Sequence, residues 1–411
     1  MPSRAIVAKH VLFAMVGMGS GWMTSDAIWA QNPTFVKRFA AGLHLPSYLA
    51  ITAQTLSAAT ILALMLHKVF RRGSSQQGEE SSFHRRVIWA ITCLQFVCLA
   101  VLAFLWRATL YSWPIVLFIT TGFGQVIGVS NSIVVLPFIS TRCTSNVVSS
   151  VSTGVQLSSM MAGLLGIAQQ PTQGTDEAFS TSVFFMIFAA IAGLSICSWS
   201  YVSGTNLGID PTVSEKPLTD VVENGAEADE VSDGAISIGG MYAILLPLDI
   251  AAWGIAPSIL PFAAGAVAGS CDSTNEEALQ TLRYAISLSF VALPIAAFTT
   301  AILPTFRKWV LAAMFCVGVF AFAVELSILM HATFILELSW APSVLIVSHF
   351  VMRFIDTYLM TTAFRLITYK FSLTVDKRRH SEKLGLVISI CGFLSTLTLF
   401  LLIHEKVIRC E

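Results

Sequence analysis

Eleven stretches of about 20 mainly apolar residues follow one another along this chain, each long enough to cross the hydrocarbon core of a bilayer as a helix. They fall at 10–30, 47–69, 87–105, 113–139, 146–169, 179–201, 241–264, 281–303, 309–331, 341–367 and 384–404. Inside lipid every backbone N–H and C=O must find a partner within its own segment or in a closed barrel. These runs are continuous rather than alternating, so helices are the expected spanning unit. Of 411 residues 55% are hydrophobic and 12% charged, against about 25% charged in soluble domains, which excludes an ordinary soluble fold. The fold class expected is therefore an all-α polytopic membrane protein, with the lipid bilayer as its surroundings. The formal net charge is 0, which points to no nucleic-acid partner.

An odd number of crossings puts the two termini on opposite faces, and basic residues choose between them because short cytoplasmic loops are rich in Lys and Arg. With the N-terminus inside, the cytoplasmic set includes Arg71-Arg72, Arg85-Arg86, Arg307-Lys308 and Lys377-Arg378-Arg379, whereas the outer set is Lys37, Arg38, Arg107, Arg283, Lys406 and Arg409. The orientation expected is N-in and C-out. No Ala-x-Ala-like cleavage site follows the first run, so it is read as a retained span. Residues 203–240 carry Asp210, Glu215, Asp220, Glu223, Glu227, Asp229, Glu230 and Asp233 against a single Lys216, and cannot bury enough apolar area to offset ordering. They are expected to be a disordered cytoplasmic linker between a six-helix bundle, 1–202, and a five-helix bundle, 241–411. Such a division is the usual layout of two-bundle transporters that rock about a midplane site.

Polar groups at bilayer depth are costly unless paired or facing water, so each is a functional candidate. Asp26 lies in the first span among Gly17, Gly19 and Gly21, two tryptophans and Pro33. Asp249 precedes Trp253-Gly254-Ile255-Ala256-Pro257-Ser258-Ile259-Leu260-Pro261 in the seventh span, where a Gly and two Pro predict a break or kink. Glu325 is deep enough in the ninth to need a partner. His349, Arg353 and Asp356 are spaced by four and three in the tenth, on one face, which reads as a local ion pair with a histidine beside it and, as a second reading, as a gate or proton relay. Trp22 and Trp29, seven apart, share a face and could stack on a planar ring. Ser130-Asn131-Ser132 and Gln156 add amides and hydroxyls, which in membranes also serve to hold helices together. Cys271 and Cys410 fall in the outer compartment and are expected to pair. No metal-ligand spacing and no catalytic His–carboxylate spacing is present, so neither a metal, a cofactor nor an enzyme is expected.

Taken together, Gly17-Met18-Gly19-Ser20, Trp22, Ile28-Trp29 and Pro33 resemble the first-helix pattern of the eukaryotic riboflavin transporters. Leu45-Pro46-Ser47-Tyr48-Leu49 matches the family's second-helix start. Ser130-Asn131 with Leu136-Pro137-Phe138 is similar to its fourth helix, and Gly254 with Pro257 to its seventh. The resemblance implies two bundles of the major-facilitator type, related to equilibrative nucleoside carriers, in a plasma-membrane carrier for riboflavin or a related planar heterocycle. In that reading Trp22 and Trp29 stack on the ring, Asn131, Ser132 and Gln156 hydrogen-bond it, and Asp26 accepts from a ring N–H or ribityl hydroxyl. Gly21 is an insertion in the motif. Asp26, Gln31, Trp253 and Leu260 stand where the family has Asn, Glu, Asn and Gln, all pore-lining positions, so the same residues are also where recognition can have changed. An ionisable Asp26 could couple uptake to protons. Two alternatives stay open: a carrier for another solute such as a nucleoside or amine, and a membrane receptor or scaffold.

Overall fold

A computed structural model describes residues 4–70, 77–143, 145–169, 178–205, 236–270, 272–303, 305–330, 333–370 and 374–404. Most of the acidic linker and both Cys271 and Cys410 lie outside these residues, and with them the expected disulfide. The described chain is helical apart from turns and an isolated bridge between Leu110 and Trp113. Among the described residues ten helices are long and apolar enough to span a membrane, or eleven if the bent pair in the first apolar run is one span. This is the all-α, multi-pass protein expected from the apolar runs.

By contacts the chain falls into two compact units. The first is Met1–Gln31 with Thr52–Glu215, and the second is Asn32–Ile51 with Lys216–Glu411.

The first unit contains α1 (Arg4–Ser20), α2 (Met23–Ala30), most of α4 (Leu45–Phe70), α5 (Gln77–Leu105), α6 (Ile115–Ser130), α7 (Leu136–Arg142), α8 (Ser145–Ala168) and α9 (Thr181–Thr205). In lipid a buried Phe gains little over a lipid-facing one, so close packing and polar contacts must hold the helices together. Phe13, Val16, Val147, Val151, Trp199 and Val202 form an apolar core. Around it α1 approaches α8 backbone to backbone. A Cβ added at Gly17 would lie 2.0 Å from the Val151 carbonyl oxygen, and one at Gly154 would lie 1.9 Å from that of Ala14.

The first span departs from the single helix expected. Its two parts, Ile6–Ser20 and Met23–Ala30, meet at 62°, with Gly21 and Trp22 in the turn. The alternate glycines explain the position. Gly17 abuts α8, Gly19 abuts Ser195 of α9, and Gly21 lies against Val155 of α8, so the backbone is drawn onto its neighbours just where glycine holds a helix least well.

The fourth and seventh spans each pass through a wide π-turn, Asn131–Val135 and Ile250–Ile255. Pro137 and Pro257 each lie two residues beyond the end of the turn, and proline removes an N–H and pushes its ring at the carbonyl four residues back. The extra residue of a π-turn relieves that clash and keeps the helix going. Hence the seventh span, expected to break or kink, runs as one helix of 30 residues, Ile238–Val267, with Pro247 and Pro261 also inside it.

The second unit holds α3 (Asn32–Arg38) and the start of α4, then α10 (Ile238–Asp249), α11 (Ala256–Val267), α12 (Glu276–Ile302), α13 (Lys308–Leu329), α14 (Thr333–Leu336), α15 (Ala341–Lys370) and α16 (Thr374–His404). Its core includes Leu245, Leu248, Leu311, Met352, Ile355 and Leu359. Asn275 caps α12 by accepting from the backbone N–H groups of Glu277 at 2.9 Å and Ala278 at 3.1 Å. In the preceding turn the Thr274 N–H bonds Asp272 and holds its exposed carboxyl below the usual carboxylate range. Residues 32–51, which chain order places among the first bundle, are tied here by polar and aromatic contacts. Lys37 pairs with Glu276, the His44 ring meets Phe262 edge-on at 5.1 Å, and Tyr48 meets Phe400 at 5.6 Å.

Candidate functional site

Three consecutive side chains of α2 reach three different helices. Successive residues of a helix point about 100° apart, so a short polar run addresses neighbours on every side. Thr24 donates to Gln95 Oε1 of α5 at 3.1 Å, and Ser25 accepts from Gln125 Nε2 of α6 at 3.3 Å. Asp26 accepts from Ser159 Oγ of α8 at 2.7 Å. All three are buried. At the C-terminal end of α2, Gln31 donates to Gln169 at 2.6 Å and accepts from Thr181 at 3.2 Å, while Gln169 donates on to the Phe179 carbonyl at 3.0 Å. Both ends of the Gln31 amide are thus engaged in anchoring the helix end.

At the other end the Trp22 ring abuts Gly128 of α6, where an added Cβ would come within 2.1 Å of Trp22 Cε3. One turn further along that span, Asn131 is buried in the π-turn and its Oδ1 lies 3.1 Å from Ser20 Oγ. Ser132 is exposed, with its hydroxyl returned to the Gly128 carbonyl at 3.2 Å.

Of the residues that the sequence singles out in this unit, Asp26, Gln31 and Asn131 are buried, Trp22, Trp29 and Gln156 half-buried, and Ser132 exposed. Gln95 and Gln125 belong to the same polar centre and were not singled out. Their signal was available: each is an amide in the middle of an apolar run, Leu94-Gln95-Phe96 and Gly124-Gln125-Val126. Gln95 Nε2 is buried with no hydrogen-bond partner, an uncommitted donor beside α2.

The second unit has its own polar centre. Trp253, in the π-turn, gives its indole N–H to Asp356 Oδ2 at 2.9 Å. The Arg353 guanidinium covers the Trp253 ring at 3.4 Å from its centroid and reaches the Ala252 carbonyl at 3.3 Å. Asp249, Arg353 and Asp356 are all buried, and Trp253 is 36% exposed. His349 turns the other way, to Glu325 of α13 at 3.2 Å. The tenth-span trio therefore divides between two clusters, and Glu325 has the partner its depth demands. π-turns and buried ionisable groups within a span are features that mark candidate functional sites in membrane proteins.

Comparison with known proteins fits this architecture. The chain is similar in structure to a D-xylose-proton symporter, with a TM-score of 0.56 at 14% identity over 97% of this chain and 88% of that one. It is also similar to the nucleoside transporter NupG, with a TM-score of 0.53 at 10% identity over 96% and 92%. At such identities the likeness is one of fold, that of major-facilitator-like carriers.

In sequence it is 26% identical over 267 residues to riboflavin transporter 2 of Salmo salar, covering 56% of this chain and 54% of that protein. It is 34% identical over 101 residues to solute carrier family 52, riboflavin transporter, member 3-B of Danio rerio, covering 25% and 20%. The chain thus matches about half the length of the first of these relatives and a fifth of the second. Residues 5–235, more than half of the chain and including the whole polar centre around α2, match the family described as solute carrier family 52, riboflavin transporter, and the protein belongs to that family.

Proposed function

We propose that this protein carries riboflavin across the plasma membrane by alternating access, with its N-terminus in the cytoplasm and its C-terminus outside. The observation that carries the reading is the bent first span of a riboflavin-transporter family member, which sets Trp22 at the bend and surrounds α2 with buried amides and hydroxyls. The isoalloxazine ring is planar, apolar in its benzenoid half and rich in carbonyl acceptors in the other. Trp22 and Trp29 suit the first half by stacking. Gln156, the Asn131 Nδ2 group and Gln95 Nε2 suit the second as donors. Asp26 and Ser132 suit the ribityl hydroxyls, and Gln31 acts by fixing the end of α2. A site that leaves its donors unpaired without the right solute discriminates strongly against analogues lacking the matching acceptors.

Expression in a flavin-uptake-deficient cell tests the reading. Labelled riboflavin uptake should be saturable, competed by unlabelled riboflavin and indifferent to nucleosides. Uptake no greater than from an empty vector, with the protein at the surface, overturns it. A second reading, a carrier for a nucleoside or another planar solute, is favoured by Asp26, Trp253 and Leu260, where this chain departs from the family pattern; nucleoside uptake in the same cells would select it.

Gly128→Ala offers a sharper probe of the Trp22 position. The added methyl cannot coexist with the ring at 2.1 Å, so the indole must leave its seat. Uptake should fall about tenfold, in keeping with the low end of over-packing energies, while surface expression persists.

A further inference from the structure

The charges of the second unit's polar centre do not balance. Asp249, which ends α10 directly before the π-turn carrying Ala252 and Trp253, and Asp356 on α15, bonded to Trp253, are two carboxylates, 1% exposed each, and the cation seated on that turn is Arg353. Asp249 Oδ1 and Asp356 Oδ1 are both buried without a hydrogen-bond partner. With both acids ionised the cluster would hold a net negative charge inside the membrane, where an uncompensated charge is costly. Among the described residues, neighbouring helices direct their cations elsewhere: Arg365 of α15 donates to the Thr300 carbonyl, and Lys308 at the start of α13 lies over the Trp309 ring. Glu325 of α13 and His349 of α15 are engaged with each other, the His349 ring nitrogen lying 3.2 Å from Glu325 Oε1. Tyr242 of α10 and Tyr358 of α15 are phenols. α11 throughout, α12 over 285–302 and α16 over 384–403 bring no acidic, basic or histidine side chain, the Cys391 thiol being their one ionisable group.

We propose that Asp249 and Asp356 share one exchangeable proton beside Arg353 and Trp253, and that this cluster is a proton-binding site of the second unit. The proton removes the surplus charge and turns one carboxyl into an O–H donor. A metal cation is the poorer occupant, because the guanidinium already lies within the same cluster and would repel it. Trp253 makes the site responsive. Its N–H binds Asp356, its ring carries Arg353, and it is the exposed member of the cluster, so displacement of this one side chain withdraws a hydrogen bond and a cation contact from the acid pair together. Coupling of that proton to solute movement rests on the carrier reading above, whereas the protonation itself does not.

Infrared difference spectroscopy on the purified full chain, titrated in pH, reads a protonated carboxyl directly through its carbonyl stretch. The wild type should show one such band that is lost as the pH rises. Asp249→Asn and Asp356→Asn should each remove it, because either change leaves one carboxylate to one guanidinium. Both are close to isosteric, and a folded sample of either one suffices for the comparison with wild type. Absence of the band from wild type, its survival in both variants, or its loss only in Asp26→Asn or Glu325→Gln would overturn the proposal. So would its removal by sodium at fixed pH, which would identify a metal cation. In cells, riboflavin uptake by the two variants should lose its pH dependence. If wild type takes up no riboflavin while the band titrates as described, the carrier reading fails and the proton site stands.

Discussion

Gly154→Val is expected to cost the first unit about 3 kcal/mol, the upper end of over-packing effects, and to remove most of the monodisperse protein recovered in detergent. The reason is geometric. A Cβ at position 154 would lie 1.9 Å from the Ala14 carbonyl oxygen and 2.7 Å from its carbon, and both are backbone, so no rotamer change relieves the overlap. α1 and α8 would have to move apart, which would also open the reciprocal contact of Gly17 with the Val151 carbonyl at 2.0 Å. Because lipid is as apolar as the core, a separated pair loses dispersion contacts without any hydrophobic penalty to drive it closed again. Gly204→Ala and Gly239→Ala are the controls. Each sits in an end turn of its helix with nothing within 4 Å of the new Cβ, so neither should lower the melting temperature. Thermal unfolding of the purified variants decides the matter; equal melting temperatures for Gly154→Val and wild type would rule out the close crossing.

That crossing also shows what a linear sequence can disclose. Spans are legible because hydropathy is a sum over some 20 neighbouring residues, and nothing distant changes it. Glycines 17, 19 and 21 could be recognised as architecture for the same local reason. Their separate targets, Val151, Ser195 and Val155, depend on how helices far apart in sequence are rotated about their own axes. Polar residues show the same limit. Hydropathy marked Asp26, Asn131 and Gln156 as unusual, but the azimuth of α2 assigns Thr24 to Gln95, Ser25 to Gln125 and Asp26 to Ser159, and no pattern within residues 17 to 33 contains that azimuth. In the tenth span the spacing of His349, Arg353 and Asp356 implies one face, whereas in the fold His349 meets α13 and Arg353 and Asp356 meet the seventh span. The prolines behave differently again. Pro257 signalled a disruption, and the chain absorbed it locally by widening Ile250–Ile255 into a π-turn.

Arg353→Met is expected to be the most damaging single change in the second unit, at about 3 to 5 kcal/mol, the cost of removing one partner from a buried ionic cluster. Methionine keeps the apolar stem of arginine and deletes the guanidinium, so the loss combines the charge with the contacts to the Trp253 ring and the Ala252 carbonyl. Two contributions should separate. Arg353→Lys keeps a cation near Asp249 and Asp356 but gives up the planar guanidinium seated 3.4 Å above the Trp253 ring, a contact of about 2 kcal/mol when desolvated. The order of melting temperatures should therefore be wild type, then Arg353→Lys, then Arg353→Met. Adding Asp249→Asn to Arg353→Met removes one of the two stranded acids and should recover part of the loss, although Asn alone adds no contact. Acidification should narrow the gap between Arg353→Met and wild type, because protons discharge in the folded variant what the guanidinium no longer offsets; the folded form then binds more protons than the unfolded one and stability rises as pH falls. If Arg353→Met melts with wild type at neutral pH, or if the double variant is worse than the single, the guanidinium is not what holds these carboxylates in the membrane.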